Sequence, residues 1–577
     1  QRQMCIRDSL KAGQNVELQG SVTAADGNTS ITAGNKIDIS SIATGDRVAV
    51  VGTDRDKRIN VNNNSALVGG KNVQLQAGGD LALTGSHVTA TDSITAEAGG
   101  SIELKAVKDR KMEDAEIGHR GGFYYNRVMT DDEKVQGSSM SAGGDISLQS
   151  GRDINIISSN IASEQGKITA DAAGSVNLNT MTEHHESIFE EHKKKIGFLS
   201  SKTTDIYDAK AADYNVGSNI SGDSVDLTSG KDTNITASNV VADNDVNITA
   251  GGNVNIIAVE DTSSSTYKKQ VKKSGLLSGG GLGFTIGKEK RKDQYDNQNV
   301  EQAGSTVGSI KGSVNVEAGK DVSISASDVL AGKDINLTGQ NVTIESADNT
   351  YNAQEKHEYK KSGLTVSLTT PALSVAESVH DTIKKADSVK DDRLKALIVG
   401  KEVNDLTKSG KDSVLNQTKD GLKDGFNADD FSLNISIGSQ KSKTESSSIT
   451  TVAQGSTVKA DGNVNITATE KDINIKGSDI SGEDVSLAAK GDVNITSAKN
   501  TNTSSSDSKA SSGSIGVSIN TSGISDINAG YSKYKGEVKE NGTTHTNSTV
   551  TANDKLTVES GKDTNISGSK VSGGSVE

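Results

Sequence analysis

The 577 residues hold 3% aromatic side chains, no tryptophan and one proline, against 61 glycines, and 62 basic and 76 acidic residues leave a formal net charge of -14. So few large side chains cannot fill a wide globular core, and the acidic balance excludes a whole-chain preference for nucleic acid or an anionic membrane. The single cysteine, Cys5, excludes an internal disulfide framework and a multi-cysteine metal site, and no run approaches the roughly 20 apolar residues of a membrane helix.

Gln1 to Ser9 matches neither a signal peptide, since it lacks an apolar core, nor anything later in the chain. It reads as a non-native leader (residues 1–9), and the chain is expected to be truncated at both ends. From residue 10 a repeat takes over. The step from Val73 to Ile94 is 21, and so is that from Leu81 to Ile102. Ile146 to Ile168 and Ile154 to Val176 are steps of 22; Val225 to Val246, Thr233 to Val254, Val314 to Ile335 and Val464 to Val485 are 21 again.

Each period holds two alternating segments, as in Val246-Asn-Ile-Thr followed by Val254-Asn-Ile-Ile, and then a third apolar element such as Asn239-Val-Val. Apolar side chains at every second position predict strands with one buried face. Turns such as Gly78-Gly79-Asp80, Gly230-Lys231-Asp232, Gly319-Lys320-Asp321 and Gly561-Lys562-Asp563 separate the strands. There glycine is expected to supply positive φ and the carboxylate to bond nearby backbone. Two or three short strands in so short a period fit one coil of a parallel β-helix, whose narrow core needs few aromatics. Turns this closely spaced would also suit an antiparallel sandwich, but repetition of whole two-strand units favours the solenoid.

A longer period overlies the coil. Val254-Asn-Ile-Ile-Ala-Val-Glu-Asp-Thr runs on to Lys272-Lys273-Ser274-Gly275-Leu276, and Val342-Thr-Ile-Glu-Ser-Ala-Asp-Asn-Thr runs on, without a gap between the two copies, to Lys360-Lys361-Ser362-Gly363-Leu364. Val176 opens a copy that ends at Lys194-Lys195-Ile196-Gly197-Phe198; Val493 opens a later one and Ile102 a diverged early one. Each leaves the coil on a polar excursion and returns at Gly217-Ser-Asn-Ile220, Gly304-Ser-Thr-Val307, Gly455-Ser-Thr-Val458 or Asn547-Ser-Thr-Val550. Alternating stretches inside them, such as Gly283-Phe-Thr-Ile-Gly287, predict protruding hairpins. One excursion is enlarged: Val375, Val379, Ile383 and Ala386, then Leu394, Leu397 and Ile398, follow helical spacing and predict an α-helical insertion over 371–425.

The coil units and the Lys-Lys-Ser-Gly and Gly-Ser-Thr-Val motifs closely resemble the haemagglutinin repeats of two-partner-secretion exoproteins, the filamentous haemagglutinins and the effector stalks of contact-dependent growth inhibition. The likeness covers essentially residues 10 to 577 and is nearest the second repeat class of those proteins. It implies export through an outer-membrane transporter, folding at the cell surface, and adhesion or delivery of a C-terminal toxin to a neighbouring cell. It also implies a target-cell or host surface as partner and links this repeat class to the outer membrane of the target, hence to its lipid. No stretch matches the family's N-terminal secretion domain or its Val-Glu-Asn-Asn boundary motif, so the residues are expected to be stalk.

The expected architecture is therefore all-β: a right-handed parallel β-helix over 10–370 and 426–577, with hairpin excursions and one helical insertion. Chemistry is not expected. Acidic residues recur at turns coil after coil, whereas a catalytic pair would be unique to one place, so a carbohydrate-active β-helix is a distant alternative and an adhesive module the nearer one. His184, His185 and His192 sit in a polar excursion and read as solvated rather than metal-binding; no cofactor is expected. The excursions over 263–302, 351–452 and 501–546 are the expected working surface. Their candidate contacts with an anionic, partly apolar surface are Lys268, Lys269, Lys272, Lys273, Phe284, Ile286, Lys288, Lys290, Arg291 and Lys292.

Overall fold

The computed structural model describes residues 8–50, 55–278, 282–369, 432–520 and 522–577. Strands fall into four sheets: three parallel sheets of 14, 13 and 13 strands, each built from one strand of successive coils, and a fourth, antiparallel sheet of 12 strands. The three parallel sheets wind into the expected β-helix. Val73 pairs with Ile94, Leu81 with Ile102, Val225 with Val246, Thr233 with Val254 and Val464 with Val485, so the sequence period is the coil. No antiparallel pairing links these segments, which removes the sandwich. The helical insertion expected over 371–425 lies outside the described residues, as do Cys5 and most of the leader. Asp8 and Ser9 begin the first described strand and pair with Thr29 and Ser30.

The core follows from the alternation. In one coil Val246, Ile248, Val254, Ile256 and Val307 are wholly or almost wholly buried, and each stacks on an aliphatic residue of the next coil. Such a bore accommodates Val, Ile, Leu and Ala and leaves no space for indole rings, which accounts for the composition. Thr233 occupies one inward position and is satisfied there by the Ser229 hydroxyl at 2.9 Å.

Glycine's role in the turns differs from the expectation. Positive φ is not found at Gly78, Gly230, Gly319 or Gly561. These turns stack closely on the turn of the preceding coil, so that a Cβ on the equivalent Gly251 would sit 2.5 Å from the carbonyl oxygen of Gly230; Ala173 and Lys490 are exceptions that carry a side chain at this position. Turn carboxylates do bond backbone, but of the next coil, Asp321 being an exception. Asp232 accepts the Asn253 N–H at 2.7 Å, and Asp80 that of Ser101 at 2.9 Å.

Positive φ appears at the corner between the second and third parallel sheets, at Gly85, Ser158, Ala237, Ala326 and Gly477. Each makes a tight turn, and the coils between them leave this same corner on a hairpin. Tight turn and hairpin alternate. A left-handed alanine costs about 1 kcal/mol, so Ala326→Gly is expected to raise the midpoint of thermal unfolding slightly, whereas Val329→Gly, in the strand that follows, should lower it. Just past the corner the interior coils place a buried serine, whether they arrive by turn or hairpin, except after the first hairpin, where Ala66 takes the position. The Ser218 N–H donates to Ser238 Oγ, that of Ser238 to Ser305 Oγ, and that of Ser305 to Ser327 Oγ, at 3.0 to 3.1 Å. This ladder explains the Gly-Ser-Thr-Val return motif.

Candidate functional site: one sheet of hairpins

The excursions protrude, but they do not stand separately. Six hairpins are described: Ile42–Val50 with Arg55–Asn64; Val107–Gly118 with Tyr124–Gln136; Met181–Ile196 with Ser200–Val216; Val259–Ser278 with Leu282–Ala303; Ala347–Thr369 with Ser432–Gln454; and Ala498–Asn520 with Gly523–Thr546. Each pairs edge to edge with the next, giving the 12-stranded antiparallel sheet. The reason is metrical. Coils and sheet strands share a spacing of about 4.8 Å, so two coils advance the stalk by about the width of one two-strand hairpin. A hairpin on every second coil therefore meets its neighbour at bonding distance.

Near the stalk, side chains finish the pairing. The N–H of the penultimate residue of one hairpin meets the third residue of the next: Asn215 donates to Asp261 at 2.7 Å, Gln302 to Asn349 at 2.7 Å and Ala453 to Asn500 at 2.8 Å. These acceptors are the Asp or Asn of the motifs that open each excursion. Strands lengthen along the stalk, from 9 residues in the first hairpin to 24 in the last. The sequence reading placed the fourth to sixth hairpins within a few residues and missed the first.

Direct cross-strand partners share a face of the sheet, as do residues two apart. On that rule the candidate contacts divide. Lys268, Lys272, Phe284, Ile286, Lys288, Lys290 and Lys292 share one face, while Lys269, Lys273 and Arg291 lie on the reverse. Two of the reverse-face cations are neutralised locally, Lys273 by Glu289 at 2.8 Å and Arg291 by Asp293 at 3.0 Å. On the first face Lys272 pairs across with Lys290, Lys290 with Lys360, and Lys360 with Lys441, a row of four lysines. Two strands further on, Lys533 ends the same row. Like charges in direct register cost stability, and among the described residues no ion pair relieves these four.

Four residues toward the hairpin tips the same face turns apolar. Leu276, Ile286, Leu364, Ile437 and Ile515 form one row, and Phe284, Val366, Ile435, Val517 and Ile527 the next. Ile286, Ile437, Ile515 and Ile527 are each more than half exposed. Behind the first apolar row, on the reverse face, runs a line of glycines: Gly275, Gly287, Gly363 and Gly438. A Cβ on Gly363 would lie 2.5 Å from the Ile286 carbonyl oxygen, so these strands approach too closely for any side chain there.

This arrangement decodes the sequence motif. Lys-Lys-Ser-Gly-Leu on an outgoing strand is mirrored by Ile286-Gly287-Lys288-Glu289-Lys290 and Ile437-Gly438-Ser439-Gln440-Lys441 on returning strands, because antiparallel partners read the same rows backwards. Lys360, Lys441, Leu364, Ile437 and Ile515 were absent from the sequence-derived candidates. The mirrored spacing was the signal that could have found them.

The histidines sit in the third hairpin on cross-strand carboxylates. His184 Nδ1 lies 2.6 Å from Asp213 and His185 Nδ1 3.2 Å from Asp132; His192 bonds Asp205. No group of three or more metal-ligating side chains is found among the described residues. The Asp213 hydrogen bond raises the pKa of His184 above the usual 6.5, with Glu186 and Glu133 adding to it. A raised folded-state pKa stabilises fully below the unfolded value of about 6.5 and is lost as pH rises through the folded value. Exposure and screening keep the effect under about 1 kcal/mol. Nuclear magnetic resonance titration should place His184 above 6.5, and Asp213→Asn should bring it down.

Comparison with known proteins agrees with this architecture. The family described as Hemagglutinin repeat matches residues 48–118, 124–275, 272–363 and 436–577. The chain is similar to the 16S rRNA endonuclease CdiA of Enterobacter cloacae, 35% identical over 77% of this chain and 14% of the relative. It is 33% identical to the tRNA nuclease CdiA of Escherichia coli strain STEC_O31 over 98% of this chain and 17% of that one. The Deoxyribonuclease CdiA of Dickeya dadantii is 31% identical over 88% of the chain and 15% of the relative. The chain thus spans less than a fifth of the length of these proteins. No solved structure matches it.

Proposed function

Because the chain belongs to the hemagglutinin-repeat family, we propose that it is stalk: a section of a secreted, cell-surface filamentous exoprotein that carries a C-terminal effector toxin to a neighbouring cell. The observation that carries this is the contrast within the relatives. Their names give three different nuclease activities, on 16S rRNA, tRNA and DNA, yet the same repeat aligns in all three. Nuclease chemistry that varies while the repeat persists belongs elsewhere in those proteins. Turn aspartates such as Asp80 and Asp232 are occupied in bonding the next coil, and His184, His185 and His192 in cross-strand pairs. Export through an outer-membrane two-partner-secretion transporter and contact with the target-cell surface follow from the family. The hairpin sheet is the part of the stalk that offers a surface for that contact, outer-membrane lipid included.

Two measurements test the reading together. The purified chain incubated with rRNA, tRNA and DNA should cleave none of them. In the full exoprotein, excision of the repeats should abolish growth inhibition of target cells. Cleavage by the chain alone, or inhibition undiminished without it, overturns the proposal.

A further inference from the structure

We propose that one face of the hairpin sheet, and only that face, is a docking surface for an anionic lipid monolayer. The proposal rests on the stalk reading for its biological setting but stands physically on the sheet alone. The face has two zones in fixed register. Toward the tips, the two apolar rows cross the fourth, fifth and sixth hairpins, a width of six strands or about 29 Å. Toward the stalk, two rows in, the lysine row of Lys272, Lys290, Lys360 and Lys441 crosses the first four of these six strands. A contiguous exposed apolar patch on a secreted, water-facing protein marks a contact surface. Uncompensated lysines in direct register mark one that meets anions, since the partner removes the repulsion.

The two zones together select the partner. A soluble polyanion would use the lysines and leave the isoleucines in water; an apolar protein groove would use the isoleucines and leave the lysines unpaired. A lipid monolayer presents both chemistries at once, phosphates beside hydrocarbon. Ser274, Lys288, Ser362 and Ser439 form the row between the zones, where headgroups would lie. The reverse face at this level offers Gly275, Gly287, Gly363, Gly438 and Ser514, and the row beyond it is Leu277, Thr285, Thr365 and Ser436, in which Leu277 and Thr285 are buried, so this face exposes no apolar row. Such a sheet lies on the monolayer by one face. The first two hairpins stop short of the apolar rows and the third ends at the first of them, where the Leu276 N–H donates to the Leu199 carbonyl and Phe198 and Leu199 are exposed, so docking belongs to the last three hairpins and the tip of the third.

The test uses the whole chain and sedimentation with vesicles of phosphatidylglycerol or of phosphatidylcholine. Binding to the anionic vesicles should be at least roughly tenfold tighter and should fall with salt. Replacing Lys272, Lys290, Lys360 and Lys441 by Gln should remove that preference. Ile286→Ser with Ile437→Ser and Ile515→Ser should weaken binding to both vesicles. Lys269→Gln with Lys361→Gln, on the reverse face, should change neither. Circular dichroism checks the fold of each variant, and the single Lys360→Gln replaces any that unfolds. Equal binding to both vesicle types, loss caused equally by the reverse-face pair, or tight binding to soluble polyphosphate that ignores the isoleucines would each overturn the proposal. None of these outcomes bears on nucleic-acid cleavage or on toxin delivery, which test the stalk reading.

Discussion

Val246→Asp is expected to destabilise its coil and the two flanking ones by on the order of 4 kcal/mol or more while leaving distant coils protected. Val246 is fully buried and stacked between Val225 and Val314. A carboxylate in this narrow core would either remain charged there or take up a proton, at a cost of similar size. Because coils touch mainly their neighbours, damage should decay along the axis. Hydrogen exchange should show protection lost around residues 225–250 and 314–318 and retained near Val73 and Val464. Cooperative loss over the whole chain would contradict the one-dimensional account.

The second large effect comes from excising the fourth hairpin. Removing residues 259–304 joins Ala258 to Ser305, and the resulting Ile257-Ala258-Ser305 imitates the tight corner Thr236-Ala237-Ser238. The stalk should survive, because its pairing and its serine ladder are untouched. The sheet should not. Ser200–Val216 and Ala347–Thr369 would each lose a full-length partner, and the stalk would hold them about 14 Å apart, three strand spacings, with no means of closing. Amide exchange in those two strands should accelerate by roughly tenfold or more while the coils stay unchanged. Unchanged protection would mean that the hairpins slide and re-pair, so that coil spacing does not govern the sheet.

The stalk was legible in the sequence because a buried strand face imposes a period of two, and coil stacking repeats that pattern once per coil. Val73 with Ile94 and Val225 with Val246 could be paired from the sequence alone. The turn glycines were located but misread. Sequence shows that a side chain is missing, not whether backbone torsion or a neighbouring coil excludes it, and at Gly78 and Gly230 it is the neighbour. The sheet was harder to see because its pairing is set by the stalk's spacing, not by any signal local to a hairpin. The first hairpin, in which Asn62, Asn63 and Asn64 precede Ser65, lacks the lysine and glycine rows and so carried no landmark. The candidate site was half legible. Lysines and apolar strands were noticed together in the fourth hairpin, but the division into two faces needs the register, which assigns Lys272 to one and Lys273 to the other.

A disulfide tests directly whether adjacent hairpins are strands of one sheet. Thr285 and Thr365 belong to the fourth and fifth hairpins, are direct cross-strand partners, and bring their hydroxyl oxygens to 2.9 Å. With Cys5 replaced by Ser, the pair Thr285→Cys and Thr365→Cys should close under mild oxidation into one intramolecular disulfide, identified by peptide mapping. The pair Thr285→Cys and Gln354→Cys, on the same two strands but far out of register, should not. Free thiols at 285 and 365, or equal closure of both pairs, would show independent, mobile hairpins and contradict the single sheet.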